Sequence, residues 1–252
     1  MPRIHRATGI LAACVLPLLA APASGGETST WYVSAKAGSD ENPGTRESPW
    51  QTIEKAASSI RPGDTVLIEP GVYRAKRFRF RPAGPGPQRR TTFKFARPNN
   101  KHGRAVLTGP DGVTPSFDMA PFTRIEGLWI GGSPPATPKE GAVGAINREG
   151  IEVIGCTFWG RYFQLLTGNT ARNILVRDNL LMHMGGDWFH HPIYIAGGPP
   201  PTTQDCRFIG NVILNGGGFA LHCWHKPINV TIVGNFTSGC MADMVAQGPG
   251  HI

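Results

Sequence analysis

The residues of this 252-residue chain best equipped for chemistry crowd into two neighbouring stretches. His183, Asp187, Trp188, His190, His191 and Tyr194 form one, and His222, Trp224, His225 and Lys226 form the other. Imidazoles titrate near neutral pH and serve as bases, and a phenol can deliver a proton. Trp and Tyr faces offer apolar area to sugar rings while polar groups set their orientation. Such a set suits β-elimination on an acidic, uronate-containing polysaccharide. That reaction needs a base for the C5 proton, an acid for the leaving oxygen and a cation beside the carboxylate. His191, His222 or Lys226 fit the base and Tyr194 the acid, while Gln164, Asp187, Trp188, His190, Trp224 and His225 are candidates for holding substrate. Calcium is a candidate cofactor through Asp187 and Asp205, although two carboxylates are few for such a site. The same groups also suit a carbohydrate-binding or adhesive surface that cleaves nothing.

Other chemistries lack their residues. Inverting hydrolysis needs two facing carboxylates, and no clustered Asp-Asp pair occurs. No Cys-x-x-Cys or Cys/His spacing announces structural zinc. Basic residues are dispersed without a recognisable motif, so no nucleic-acid partner is expected.

The elements that must position these side chains follow from a repeat. Ile151-Glu-Val153-Ile-Gly-Cys156-Thr-Phe158 recurs as Ile174-Leu-Val176-Arg-Asp-Asn179-Leu-Leu181, as Cys206-Arg-Phe208-Ile-Gly-Asn211-Val-Ile213 and as Val230-Thr-Ile232-Val-Gly-Asn235-Phe-Thr237. The shared slot holds Cys156, Asn179, Asn211 and Asn235, at spacings of 23, 32 and 24 residues, and a weaker copy upstream puts Leu128 there. A period in the twenties with apolar alternation of period two predicts a strand-built solenoid. Identical positions then stack from coil to coil. Asn at a corner tolerates left-handed backbone and bonds locally, so the slot predicts an internal amide ladder at a turn.

A second strand per coil is expected in Phe163-Gln-Leu165-Leu, Ile193-Tyr-Ile195-Ala and Leu221-His-Cys223-Trp. Alternation aligns them with Gln164, Tyr194 and His222 facing outward, one above another. The coil with the longest spacing also carries the loop Gly197 to Gln204, and insertions on one side of a repeat often frame its binding face.

The composition agrees: 33 Gly and 23 Pro with only 17% charged residues suit short strands joined by many turns. Ahead of the repeats, the chain reads Trp31-Tyr-Val-Ser34, Asn42-Pro-Gly-Thr45 and Ser48-Pro-Trp50. A helical segment, Gln51 to Ile60, follows the Ser48-Pro49 start signal, and then comes Arg61-Pro-Gly-Asp64 to Tyr73. This opener, from about Trp31 to Tyr73, resembles the N-terminal segment of secreted right-handed parallel β-helix proteins of the pectin lyase-like superfamily. The resemblance is to those whose repeats adjoin a segment known only as a domain of unknown function. It implies an all-β, right-handed parallel β-helix with a short N-terminal helix over its open end. Exposed strand edges and apolar surface require such a cover. The Arg-containing and Asp-rich signatures of well-known pectate lyases are not evident, so no residue role is carried over. Downstream, Phe78-Arg-Phe-Arg81 and Phe93-Lys-Phe95 read as strands with a cationic outer side.

Residues 1–23 read as a signal peptide. Arg3 and Arg6 precede an apolar run from Gly9 to Ala21, too short to span a bilayer, and Ala21-Pro-Ala23 offers a cleavage site. The expected location is secreted, periplasmic or cell-surface, without a transmembrane segment and as a monomer. Leu11-Ala12-Ala13-Cys14 also resembles a lipobox. Cleavage takes the formal charge from +8 to +6, a balance that suits acidic partners or simple solubility. Residues 24–252 are then one β-helix domain, cap to about 73 and coils beyond. Nothing near Ile252 resembles a closing element, so further coils are expected past it. Of the remaining cysteines, Cys156, Cys206, Cys223 and Cys240, export permits disulfides, yet Cys206 and Cys223 occupy apolar slots.

Overall fold

A computed structural model describes residues 27–96, 103–134 and 141–246. The expected signal peptide and Cys14 lie outside the described residues, as does the chain from 247 onward. No described helix is long and apolar enough to cross a membrane.

Twenty-two strands occur among the described residues. The first, β1 (Thr30–Val33), precedes the helix α1 (Ile53–Ser59). Seven coils of three strands follow. They are β2 (Thr65–Ile68), β3 (Gly71–Arg74) and β4 (Arg77–Phe80), then β5 (Thr91–Phe95), β6 (Ala105–Thr108) and β7 (Ser116–Met119). Next come β8 (Thr123–Glu126), β9 (Trp129–Gly131) and β10 (Val143–Ala145), then β11 (Glu152–Ile154), β12 (Thr157–Arg161) and β13 (Gln164–Leu166). The last three coils are β14 (Leu175–Arg177), β15 (Leu180–Gly185) and β16 (Ile193–Ala196), then β17 (Gln204–Ile209), β18 (Val212–Leu214) and β19 (Phe219–Trp224), then β20 (Ile228–Val233), β21 (Phe236–Ser238) and β22 (Ala242–Ala246).

Each coil gives one strand to each of three sheets, and every strand pairing is parallel. The first sheet runs from β1 to β20, the second from β3 to β21 and the third from β4 to β22. This is the parallel β-helix that the repeat and the opener predict. Inward side chains fill the coil, and Phe80, Phe93, Phe117, Phe158 and Phe163 stack along its axis with ring centroids 5.2–6.2 Å apart. All five are fully buried, each contributing about 1.5–3 kcal/mol of burial free energy.

The turn from the first sheet to the second holds the predicted ladder. The Asn179 side-chain amide donates to Asn211 Oδ1 at 2.9 Å, and that of Asn211 donates to Asn235 Oδ1 at 2.9 Å. Each Asn oxygen also accepts the backbone N–H of the slot residue one coil earlier, beginning with Cys156 at 2.8 Å. Each amide further donates to a carbonyl of the previous coil: Val153, Val176 and Phe208. One expectation is corrected. The left-handed backbone belongs to the residue before the slot, namely Gly127, Gly155, Asp178, Gly210 and Gly234, at φ between 57° and 68°. The bend is made there by residues that tolerate it, and the Asn serves only as hydrogen-bonding filler.

α1 is shorter than predicted, because its start lies at Thr52 rather than Ser48. The Thr52 hydroxyl accepts the Lys55 N–H, while Asp40 accepts the N–H groups of Gln51 and Thr52. The helix buries Ile53 and Ala56 and packs on β1 and β4, over the first coil. At the other end of the described chain, Val233, Phe236, Met241 and Met244 are exposed. Cys156, Cys206, Cys223 and Cys240 are all free thiols, the first three buried.

Candidate functional site

The third sheet aligns Leu166 with Tyr194 and Tyr194 with His222. Tyr194 and His222 are therefore stacked outward neighbours, as alternation predicts. Gln164 is not in that row: it pairs with Val143, two residues away from Leu166. A slip of two residues keeps every side chain on its own face, so alternation cannot detect it. The register is set instead by the corner before β13, where Gly160 and Tyr162 take positive φ. The outward row is Leu166, Tyr194, His222.

His191 joins this pair from the approach to β16. Its ring meets that of His222 edge to face at 4.3 Å, and Tyr194 lies 5.1 Å from His222 and 5.7 Å from His191. Phe219 and Trp224 complete the cluster, 5.0 and 5.1 Å from His222. His191 is only 3% exposed, and its Nδ1 accepts the Phe219 backbone N–H at 3.1 Å. A neutral His191 must therefore carry its proton on Nε2. Burial, reinforced by nearby His222 and His190, pushes its pKa down to about 4. Burial and then the neighbouring His225 lower that of His222, and burial raises that of Tyr194. At neutral pH all three rings are uncharged: His191 with its Nδ1 lone pair occupied, His222 without a hydrogen-bond partner among the described residues, and a phenol that keeps its proton. Both His222 ring nitrogens are closed from solvent and lack a hydrogen-bond partner among the described residues.

Beside the cluster, residues 186–190 form a loop organised by Asp187. Its Oδ1 accepts the N–H groups of Phe189 and His190 and contacts His190 Nδ1 at 2.7 Å. Burial would raise the Asp187 pKa, but the hydrogen bonds from His190 and Phe189 prevail and lower it. The loop holds Trp188 and Phe189 outward, 63% and 85% exposed, with Trp188 edge-on to Phe219 at 5.8 Å. Phe189 is not among the residues that the sequence singles out, since a phenyl ring carries no titratable or hydrogen-bonding group to mark it. His190 packs on Tyr162 at 5.3 Å.

His225 packs against Trp224, and Lys226 follows it, exposed, on the turn after β19. Both take φ of 59°, a conformation that costs a non-glycine residue about 1 kcal/mol or more. The Gly197 to Gln204 loop leans on this turn, with the Thr202 hydroxyl donating to the Lys226 carbonyl. His183 is exposed on β15, in the second sheet, away from the outward row.

The calcium expectation finds no donor set. Asp187 serves its own loop, and Asp205 on β17 in the first sheet accepts from Asn229 at 2.6 Å. Among the described residues, no three His, Cys, Asp or Glu side chains are grouped to hold an ion.

Comparison with known proteins bears on the fold. A family described as a protein of unknown function, DUF1565, matches residues 36–80. No curated protein matches the chain. Among solved structures, a rhamnogalacturonan lyase superposes with a TM-score of 0.55 at 15% identity, over 89% of this chain and 60% of its own. An α-1,3-glucanase catalytic unit from Streptomyces thermodiastaticus gives 0.49 at 17% identity, over 75% and 37%. A pectate lyase gives 0.40 at 14%, over 86% and 64%. The chain thus spans about 60% of the length of the rhamnogalacturonan lyase it resembles. Three parallel sheets wound as one coil, with a DUF1565 segment at residues 36–80, make this chain a parallel β-helix, the fold it shares with the rhamnogalacturonan lyase.

Proposed function

We propose that this is an exported, polysaccharide-active protein that cleaves an acidic, uronate-containing polymer by β-elimination on the third-sheet face. The observation that carries the reading is the contact of His191, Tyr194 and His222, three titratable rings that are all neutral at neutral pH. His222 takes the C5 proton of a uronate residue. The C5 electron pair forms the C4=C5 double bond as the C4–O bond breaks, and Tyr194 protonates the departing oxygen. The Nε2–H of His191 donates a hydrogen bond to the carboxylate that gathers charge, keeping its proton, and Lys226 adds a cation from the rim. Trp188, Trp224, His190, His225, Asp187 and Gln164 flank the polymer.

The likeness to a rhamnogalacturonan lyase supports the scaffold, and fold alone assigns no activity. The second reading, a binding or adhesion solenoid, draws on His222, whose nitrogens lie closed off and must be uncovered before they can act. Ultraviolet absorbance of unsaturated uronate, followed on a panel of acidic polysaccharides with and without calcium, separates the two. Elimination predicts a rise that falls by about 10²- to 10⁴-fold in His222→Ala and in Tyr194→Phe. No rise on any polymer, with binding retained on one, sinks the lyase and leaves the binding solenoid.

A further inference from the structure

The third sheet carries a second feature toward the N-terminus, on β4, four coils from Tyr194 and five from His222. On β4, inward Phe78 and Phe80 alternate with outward Arg77, Arg79 and Arg81. All three guanidinium groups turn toward one carboxylate, Asp118 on the adjacent β7, at 3.3, 3.9 and 2.9 Å. Arg77, Arg81 and Arg148 border an open depression of about 570 Å³ that Asn147 and Ala145 also line, with Asp118 as its sole lining acid among the described residues. The Arg77 and Arg81 side chains remain 51% and 56% exposed. One carboxylate cannot neutralise this set, and guanidinium forks match planar oxyanions.

Strand register connects the depression to the ring cluster. Arg79 pairs with Asp118, Asp118 with Ala145, Ala145 with Leu166, Leu166 with Tyr194 and Tyr194 with His222. From β4 to β16 is four strand spacings, about 19 Å. No single sugar residue bridges that span, whereas an extended polymer laid across the coils does.

We propose that the depression bordered by Arg77, Arg81 and Arg148 is a carboxylate-binding subsite for a uronate polymer whose other residues lie over Tyr194 and His222. The inference rests on the polysaccharide reading of this face and extends it to substrate length and charge: long acidic oligomers bind and short ones do not. Asp118 is a positioning residue that splays the arginines and tempers their charge.

The test is calorimetric binding of long and short oligogalacturonates, and of the long methyl-esterified form, to the whole protein. Wild type binds the long acidic form best, with affinity falling as salt rises. The combined Arg77→Ala, Arg81→Ala and Arg148→Ala variant weakens that binding about 10- to 100-fold and flattens its salt dependence. Asp118→Asn tightens it several-fold, a gain that misfolding cannot mimic. The inference is overturned if the arginine variant binds like wild type, if the esterified oligomer binds as well as the acid, or if single-stranded DNA binds equally. Absorbance separates it from the elimination reading. Arginine-dependent binding without elimination keeps the subsite and loses the lyase. Elimination with an unchanged KM in the arginine variant keeps the lyase and loses the subsite.

Discussion

His191 and His222 meet edge to face with ring centroids 4.3 Å apart, the first arriving just ahead of β16 and the second from the middle of β19. With His191 Nδ1 occupied by the Phe219 N–H, a proton added there would break a hydrogen bond, enter a buried site and face its neighbour. Each of these opposes charging.

Acid should therefore destabilise the fold in a defined window. The folded His191 pKa, about 4, lies below the ordinary imidazole value of 6.5, so the unfolded chain takes up this proton first as pH falls. Its contribution is complete above pH 6.5 and is lost progressively down to about pH 4, by as much as about 3 kcal/mol. Asp187 and Asp64, both lowered, act at lower pH, losing their contributions as pH drops below about 3.8. Denaturant midpoints at steps between pH 7.5 and 4.5 measure the effect, and His191→Phe should flatten the slope. A midpoint unchanged over this interval in wild type would show that the ring is not held neutral.

The amide ladder predicts graded costs. Asn211 is fully buried and bonded to both neighbours, so Asn211→Leu strands the Asn179 amide and backbone N–H and the Val176 carbonyl. The loss should be about 2–4 kcal/mol. Asn235→Leu, on the more open last coil, should cost less. Equal losses, or none at Asn211, would contradict the ladder, and thermal or urea unfolding decides.

Glu152 is 7% exposed and reaches Arg124 at 2.6 Å and Arg90 at 3.1 Å, joining outer positions of three coils. Glu152→Gln should destabilise by about 2–3 kcal/mol, because Arg90 loses its counter-charge and Arg124 keeps only Glu126, at 4.0 Å. A double-mutant cycle with Arg124→Met measures the coupling, and additivity within error would refute it.

Trp188 and Phe189 predict an effect on ligand without one on stability. Both project from the Asp187 loop, so the double alanine variant should keep its unfolding midpoint within about 0.5 kcal/mol while polysaccharide affinity falls about tenfold. A large stability loss would instead make this loop structural.

Legibility in the sequence followed the range of each interaction. The Asn slot was readable because stacking forces one residue type to recur in register, and the N-terminal helix because its apolar spacing is local. The bend is read one position late, because Asn at the slot tolerates the same left-handed backbone as the residues that precede it, Gly127, Gly155, Asp178, Gly210 and Gly234. Gln164 was misplaced because two-residue slips are silent in an alternating pattern. The arginine depression needs Arg77 and Arg148, 71 residues apart in the sequence, to meet across coils that no local pattern relates.

The free thiols turn this solenoid into its own unfolding clock. Burial raises Cys156 and Cys206 to about 12 and Cys223 to about 11, so none forms the reactive thiolate while its coil is closed. Cys240 lies before β22 in the last described coil, Cys206 and Cys223 share the coil before it, and Cys156 sits two coils deeper. The order in which an alkylating reagent reaches them distinguishes unwinding from one end, coil by coil, from a single cooperative collapse.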